Sequence, residues 1–287
     1  MSDATRLRVG RIPYVNCYPV YGAIDRGVVS LEGEVVDGVP TALNSAMAAG
    51  TLDVSVISAV EYARAASRYL LLPDLAISCD GPVRSVMLFS RRPAPQLGGA
   101  RVLVSRSSMT SVALLDLLFA DVWRARPAFV PADAEIADLA AGGASGASPH
   151  EARLIIGDAA LLLSSGMSEL AAEYPYTYDL GEEWKRWTGL PFVFAVWVAQ
   201  RATPVRAALG VHAALIESRN WGLAHLAALA VQASAATGVT VATAVEYLSG
   251  LDYGLRYEHL AGLTTFFGKL AAVGQVPDGS LAFLPAA

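Results

Sequence analysis

RIPYVNCYP, residues 11–19, is the stretch on which the reading of the chain turns. An apolar run from Leu7 to Ile12 has the composition of a strand, and Pro13, which lacks an N–H for a ladder, stops it. A tight polar corner with Asn16 and Cys17 follows, and Pro19 is placed to open a helix. Strand, corner and helix in that order form one unit of an open α/β sheet, in which ligands bind beyond the carboxyl ends of strands. An amide and a thiol flanked by Tyr14 and Tyr18 suit the lining of a pocket. The same corner also reads as an ordinary turn whose asparagine caps the helix.

Working outward, the same unit repeats. Val20 to Gly27 suits a short helix and Glu32 to Val36 a second strand. Pro40 opens a helix with Leu43, Ala46 and Met47 at helical spacing, closed by Gly50. Leu52 to Ile57 is a third strand, and Ser58 with Glu61 forms a capping-box pattern. Tyr69 to Ile77 contains Pro73 and reads as an edge segment or extended connection. The turn Ser78 to Ser85, rich in Asp, Gly and Pro, feeds a strand at Val86 to Ser90. Arg91 to Gly99 is a linker candidate.

A second α/β series begins at Arg101. Val102 to Val104 is a strand, Ser105 to Ser111 is dense in hydroxyls, and a helix follows with Val112, Leu115 and Phe119 on one face. Strands are expected at Phe129–Val130, Arg153 to Ile156 and Tyr176 to Leu180, with a loop of small residues at Ala140 to Ser148. Gly157 and Asp158 open a helix through Leu163. Pro191 to Val198 is apolar on both faces and reads as a buried strand. From Thr203 onward the pattern is helical. The expectation is an α/β chain of two lobes, residues 1–91 plus 192–287 and residues 92–191, joined by single crossings near 90 and 192, with the site in the cleft between them.

Composition narrows the function classes. Hydrophobic residues make up 54% of the 287 and charged residues only 16%, which excludes a disordered chain. The net charge of -5 argues against a nucleic-acid binder. An anionic ligand would have to be held by locally aimed donors. Two cysteines and four scattered histidines make neither a disulfide framework nor a metal set. The first eight residues lack the apolar core of an export signal, so the cytoplasm is the expected location. Leu226 to Val245 carries no charged residue, but Gln232 and Gly238 interrupt it. It reads as two buried, Ala-rich helices, not as a membrane span.

Three corners carry polar side chains at strand ends: Asn16, Ser85, and Thr110–Ser111 at a helix start. A helix N-terminus presents unpaired N–H groups, and adjacent hydroxyls add donors, so Thr110 and Ser111 could hold a carboxylate without a lysine. Plain N-capping is the competing reading there, and more strongly at Asp158. Glu182, Glu183 and Trp184 read as a helix start with an amphipathic anchor. No GxSxG, P-loop, GxGxxG or HExxH pattern occurs.

Taken together, RIPYVNCYP (11–19), LDVSVIS (52–58), LLLPDLAISCDGPVRSV (70–86), SSMTSVALL (107–115), IIGDAAL (155–161) and DLGEEWKRWTGLPFVFAVW (179–197) resemble the chorismate dehydratases of the futalosine route to menaquinone. The resemblance covers most of residues 7–200, in order. It implies the two-lobed type 2 periplasmic-binding-protein-like fold and loss of water from chorismate to give 3-[(1-carboxyvinyl)oxy]benzoate. It implies catalytic roles for Asn16 and Ser85, and substrate binding by Thr110 and Ser111. Asp158 shares the motif and is grouped with the substrate-binding residues, without a defined role. No cofactor, metal, nucleic acid or membrane is expected, and a homodimer is left open. Two alternatives share the fold: a non-catalytic solute-binding protein, and the 1,4-dihydroxy-6-naphthoate synthase of the same pathway. The CDGP turn and the TGLPFVFAVW strand favour the dehydratase.

Asn and Ser do not titrate usefully near neutrality, so neither is a natural base. The base is expected to be an unmatched carboxylate or, preferably, the substrate's own enolpyruvyl carboxylate. Asn16 is expected to donate to the departing ring hydroxyl.

Overall fold

A computed structural model describes residues 6–132, 150–166 and 173–285. The loop expected at Ala140 to Ser148 lies outside the described residues. By its contacts the chain divides into two units. Unit 1 comprises Met1–Ser78, Val193–Leu229 and Asp252–Ala287, and unit 2 comprises Cys79–Phe192 and Ala230–Leu251.

Unit 1 is built on a five-stranded sheet, in the order β2 (Glu34–Asp37), β1 (Arg8–Arg11), β3 (Val54–Ser58), β10 (Phe192–Gln200), β4 (Tyr69–Cys79). β1 pairs in parallel with β2 and β3, and β10 runs antiparallel to β3. Eight of the nine residues of β10 are buried, as an apolar run between two neighbours requires. β4 lies at the edge, where Pro73 costs no ladder bond. The parallel strands are joined through α1 (Tyr18–Asp25) and α2 (Pro40–Ala48), both with proline in the first turn.

α1 packs on α7 (Val205–Ala224) at very close range. A Cβ added at Gly222 would stand 2.1 Å from the Pro19 carbonyl oxygen, so only glycine fits. From the other side the buried Tyr21 hydroxyl donates to the Gly10 carbonyl at 3.1 Å and accepts from Trp197 Nε1 at 3.1 Å. Arg11 grips Asp37 at 2.6 and 3.0 Å and Asp25 at 2.5 Å, tying β1, β2 and α1 together.

Unit 2 carries a second five-stranded sheet, in the order β7 (Ala128–Ala132), β6 (Arg101–Ser105), β8 (Ala152–Ile156), β5 (Val86–Ser90), β9 (Tyr176–Asp179). β6 is parallel to β7 and β8, while β5 is antiparallel to both β8 and β9. The helices α4 (Thr110–Leu117), α5 (Gly157–Ser164) and α6 (Leu180–Thr188) follow β6, β8 and β9.

The observed division differs from the expected one in two places. β5 belongs to the second sheet, so the chain leaves unit 1 after Ser78 and not near residue 91. Residues 230–251 also belong to unit 2, because Glu246 pairs with Arg84 and Tyr247 is bonded to Ser85. Helical periodicity says which face of a helix is apolar, not which sheet it covers.

α8 (Leu226–Thr237) and α9 (Val241–Gly250) replace the apolar run at 226–245. They are not wholly buried: Val231 is 58% exposed, and Ala227, Ala228, Ala235 and Ala236 also face outward. Among the described residues no single helix is long and apolar enough to cross a membrane. The Ser58–Glu61 capping box does not form either. Ser58 makes no side-chain cap bond, and its hydroxyl instead accepts from Asn44 Nδ2 at 3.0 Å.

The exit and return of unit 1 are hydrogen-bonded to each other. The N–H groups of Ser78 and Asp252 each reach the other's carbonyl at 2.9 Å. The Asp252 carboxylate accepts from Gly254 N at 2.8 Å and lies 3.2 Å from His259 Nε2. Nδ1 of that ring accepts from Arg256 N, which leaves Nε2 as the donor. The His259 bond holds the Asp252 carboxyl down at about 2. A depressed carboxyl stabilises the fold above its unfolded value near 3.9, and the effect fades as pH falls through the folded value. Asp252→Asn should therefore cost roughly 1 kcal/mol at pH 7 after allowance for solvent screening. In denaturant titrations the gap to the parent chain should narrow from pH 4 toward pH 2; a gap constant over that window would refute the assignment.

Candidate functional site

In unit 1 the corner after β1 is a 3-10 turn, Val15–Cys17, closed by Cys17 N donating to the Tyr14 carbonyl at 3.0 Å. The N-cap of α1 is Cys17 and no side chain caps it, so Asn16 is not a capping residue. Its amide Oδ1 is buried and has no hydrogen-bond partner. Leaving such an acceptor dry costs of the order of 1–3 kcal/mol, a cost that a ligand donor would relieve.

The carboxyl end of β3 lies at the same sheet edge, because β1 and β3 are parallel. It brings Ser58 there, reciprocally bonded to Asn44: Ser58 N donates to Asn44 Oδ1 at 3.1 Å and Asn44 Nδ2 donates to the Ser58 hydroxyl. Asn44 is 3% exposed. Sequence reasoning missed this pair; its only trace is a polar residue beside Leu43 on a buried helix face.

In unit 2 the topology gathers every remaining predicted residue at one sheet edge. β6, β8 and β9 end there and β5 begins there, since Val86 pairs with Ile156 and Met87 with Asp179. Ser85, Thr110, Ser111 and Asp158 therefore converge, while Asn16 belongs to the other unit. Ser85, Thr110 and Ser111 are each no more than 3% exposed. The cap of α4 is not made by Thr110 or Ser111: Ser108 Oγ accepts from Ser111 N at 3.2 Å. Asp158 lies inside the first turn of α5, after Gly157 at φ +65, and is half-buried. Gly157 N donates to the Ser85 carbonyl at 2.8 Å, and Tyr247 donates to the Ser85 hydroxyl at 2.8 Å.

The turn that carries Ser85 is shaped by Asp179. One carboxylate oxygen accepts from Val83 N at 3.0, Gly181 N at 2.9 and Glu182 N at 3.1 Å, and the other accepts from Arg84 N at 2.6 Å. Burial pushes this carboxyl up, against the four donors that pull it down. The backbone held this way includes Gly81 at φ +122 and Arg84 at φ +61, a strained value for a side-chain-bearing residue. A Cβ at Gly181 would stand 2.5 Å from Cys79 Sγ and 2.6 Å from the Gly81 carbonyl, so α6 closes on the turn only through glycine. Burial, with Asp179 and Asp80 nearby, pushes the Cys79 thiol up and away from nucleophilic use.

A cavity of about 350 Å³ flanks this turn, with Arg84, Ser164, Ser165, Asp179 and Thr243 in its lining; Ser85, Thr110 and Ser111 do not line it. Among the described residues no three His, Cys, Asp or Glu side chains gather as a metal site.

Two mixed sheets of this topology, with buried hydroxyls and helix N-termini at a sheet edge, define a periplasmic-binding-protein-like α/β fold. Solved structures agree. A protein from Archaeoglobus fulgidus superposes with a TM-score of 0.75 at 20% identity, covering 96% of this chain and 100% of that one. The alkanesulfonate-binding protein SsuA from Xanthomonas axonopodis pv. citri gives 0.64 at 13% identity, over 98% of each chain. A Candida albicans protein described as having the generic periplasmic binding protein fold gives 0.67 at 11% identity, also over 98% of each.

Within that class the chain belongs to the menaquinone biosynthesis family, whose profile matches residues 7–272. It is 32% identical over 267 residues to the chorismate dehydratase of Thermus thermophilus, covering 88% of this chain and 94% of that protein.

Asp179→Asn should expose the constraint on the turn. The amide oxygen can keep three of the four N–H donors, but its NH2 would face Arg84 N. We expect a loss of about 2–3 kcal/mol in chemical unfolding and impaired turnover through Ser85. A variant as stable and as active as the parent would show that the turn holds itself.

Proposed function

We propose that this chain dehydrates chorismate to 3-[(1-carboxyvinyl)oxy]benzoate. Family membership and the relative named chorismate dehydratase support the activity. They favour it over a non-catalytic solute carrier of the same fold. The observation that carries the residue assignment is the buried, partnerless Oδ1 of Asn16.

The dianion of chorismate bears two carboxylates, an ether oxygen and a single hydroxyl, so the ring hydroxyl is its one hydrogen-bond donor. An orphaned acceptor selects that group. Asn16 thus accepts from the hydroxyl, and its NH2 supplies a donor to the oxygen as it departs. Accepting is an addition to the role expected from the sequence, in which the amide only donates.

The other groups follow from charge. Arg11 is committed to Asp25 and Asp37, and Arg84 to Glu246, and the groups assigned to the carboxylates are neutral donors. Thr110 and Ser111, at the start of α4, hold one carboxylate, and the Ser85 hydroxyl donates to the substrate. Asp158 belongs to the same sheet edge and is grouped with the binding residues.

The reaction needs orientation, charge stabilisation and a proton route. The C–H bond vinylogous to the ring carboxylate breaks, its electrons form the new ring double bond, and the C–O bond breaks. The enolpyruvyl carboxylate takes the proton and passes it to the departing hydroxide, releasing water and an aromatic ring. The cytoplasm is the location this reading assigns.

Incubation with chorismate and chromatographic detection of the product tests the activity directly; absence of turnover would refute it. Asn16→Asp should lower turnover by about 10²-fold or more, with a smaller effect on binding. Full turnover in that variant would remove Asn16 from the chemistry. Thr110→Ala with Ser111→Ala should weaken binding of a product analogue at least tenfold, taking about 1.5 kcal/mol as the least one charge-assisted bond contributes. Unchanged calorimetric affinity would return both residues to a structural role.

A further inference from the structure

We propose that Tyr247 is a positioning residue that fixes the direction in which Ser85 presents its proton. Tyr247 lies on α9 and is 2% exposed, and its phenol donates to the buried Ser85 hydroxyl at 2.8 Å. A serine hydroxyl has one proton to give and two lone pairs. With one lone pair filled by Tyr247, the proton must point elsewhere. Its acceptor within the protein is the Val83 carbonyl at 3.4 Å, beyond the normal range for a hydroxyl donor. A carboxylate or a departing oxygen is a far stronger acceptor, so the proton is poised to leave Val83 for a ligand.

The surroundings allow little rotation of this arrangement. The Ser85 carbonyl is held by Gly157 N at 2.8 Å, and the next residue along α9 from Tyr247 toward its start, Glu246, is paired with Arg84. α9 is thus attached to two successive residues of the turn by two successive residues of its own. Tyrosine, serine and substrate form a chain of donors running one way, and each bond in such a chain polarises the next. The role assigned to Tyr247 rests on the reading that Ser85 touches the substrate.

The test is a double-mutant cycle on the full chain with chorismate as substrate. Tyr247→Phe keeps the ring and removes the donor; it should lower kcat about tenfold while KM stays within about twofold. Ser85→Ala should lower kcat by about a hundredfold. Adding Tyr247→Phe to Ser85→Ala should change nothing further, because the residue through which Tyr247 acts is gone. Replacing Tyr247 by 3-fluorotyrosine keeps the bond and strengthens the donor, so kcat should rise with KM unchanged. A purely structural phenol would not respond in this way.

Full turnover in Tyr247→Phe, alongside a damaged Ser85→Ala, would overturn the positioning role and leave Ser85 in the chemistry. An equal loss from Tyr247→Phe in both backgrounds would also overturn it, as would a kcat indifferent to fluorination. Full turnover in Ser85→Ala would remove Ser85 from the reaction and the proposal with it.

Discussion

One carboxylate shapes the edge of unit 2 where the proposed site residues gather. Asp179 ends β9, caps α6 and holds two N–H groups of a turn almost a hundred residues earlier in the chain. A turn with a non-glycine residue at φ +61 is not a minimum that local sequence prefers. It persists because four donors converge on one anion, and because Gly181 lets α6 approach within contact of Cys79 and Gly81. Ser85 is the next residue, so the position of its hydroxyl is inherited from that anion.

The consequence for recognition is a division of labour by charge. The protein is acidic and its proposed substrate is a dianion, yet Arg11 and Arg84 are both committed to carboxylates of the chain. Arg11 secures the scaffold under the Asn16 corner, and Arg84 secures α9 to the turn. The groups proposed to meet the ligand are then neutral ones: hydroxyls, an amide and helix N–H groups. Such groups discriminate by geometry, because each must be matched in direction as well as in sign.

The sequence reveals what is local and hides what is distant. Pro13, Pro19 and Pro40 mark strand ends and helix starts through their missing N–H, and those boundaries are legible. The all-apolar run of β10 announces a strand between two neighbours. Ser85 and Thr110–Ser111 are legible as polar residues at strand ends. The partners of these residues are not. Tyr247 is 162 positions from Ser85, and Asn44 displaces the capping bond that Ser58 and Glu61 suggest. The assignment of residues 230–251 to unit 2 is hidden for the same reason, since it rests on contacts that no periodicity encodes.

The interleaving of the chain also sets the order in which the protein can be completed as it is made. β10 sits between β3 and β4, so the first sheet has a vacant lane until residue 200 has been synthesised. The second unit also closes late, because its Ser85 turn meets its phenol only 162 residues later. At about 5–20 residues per second that interval is of the order of 10–30 s. Early in it, until β9 and then β10 have been made, the nascent chain carries unfinished sheets with apolar faces and open strand edges, a state exposed to mispairing. The second unit has its last segment at Leu251, whereas the first still needs the segment that begins at Asp252, so the two are finished in close succession and the first is finished last.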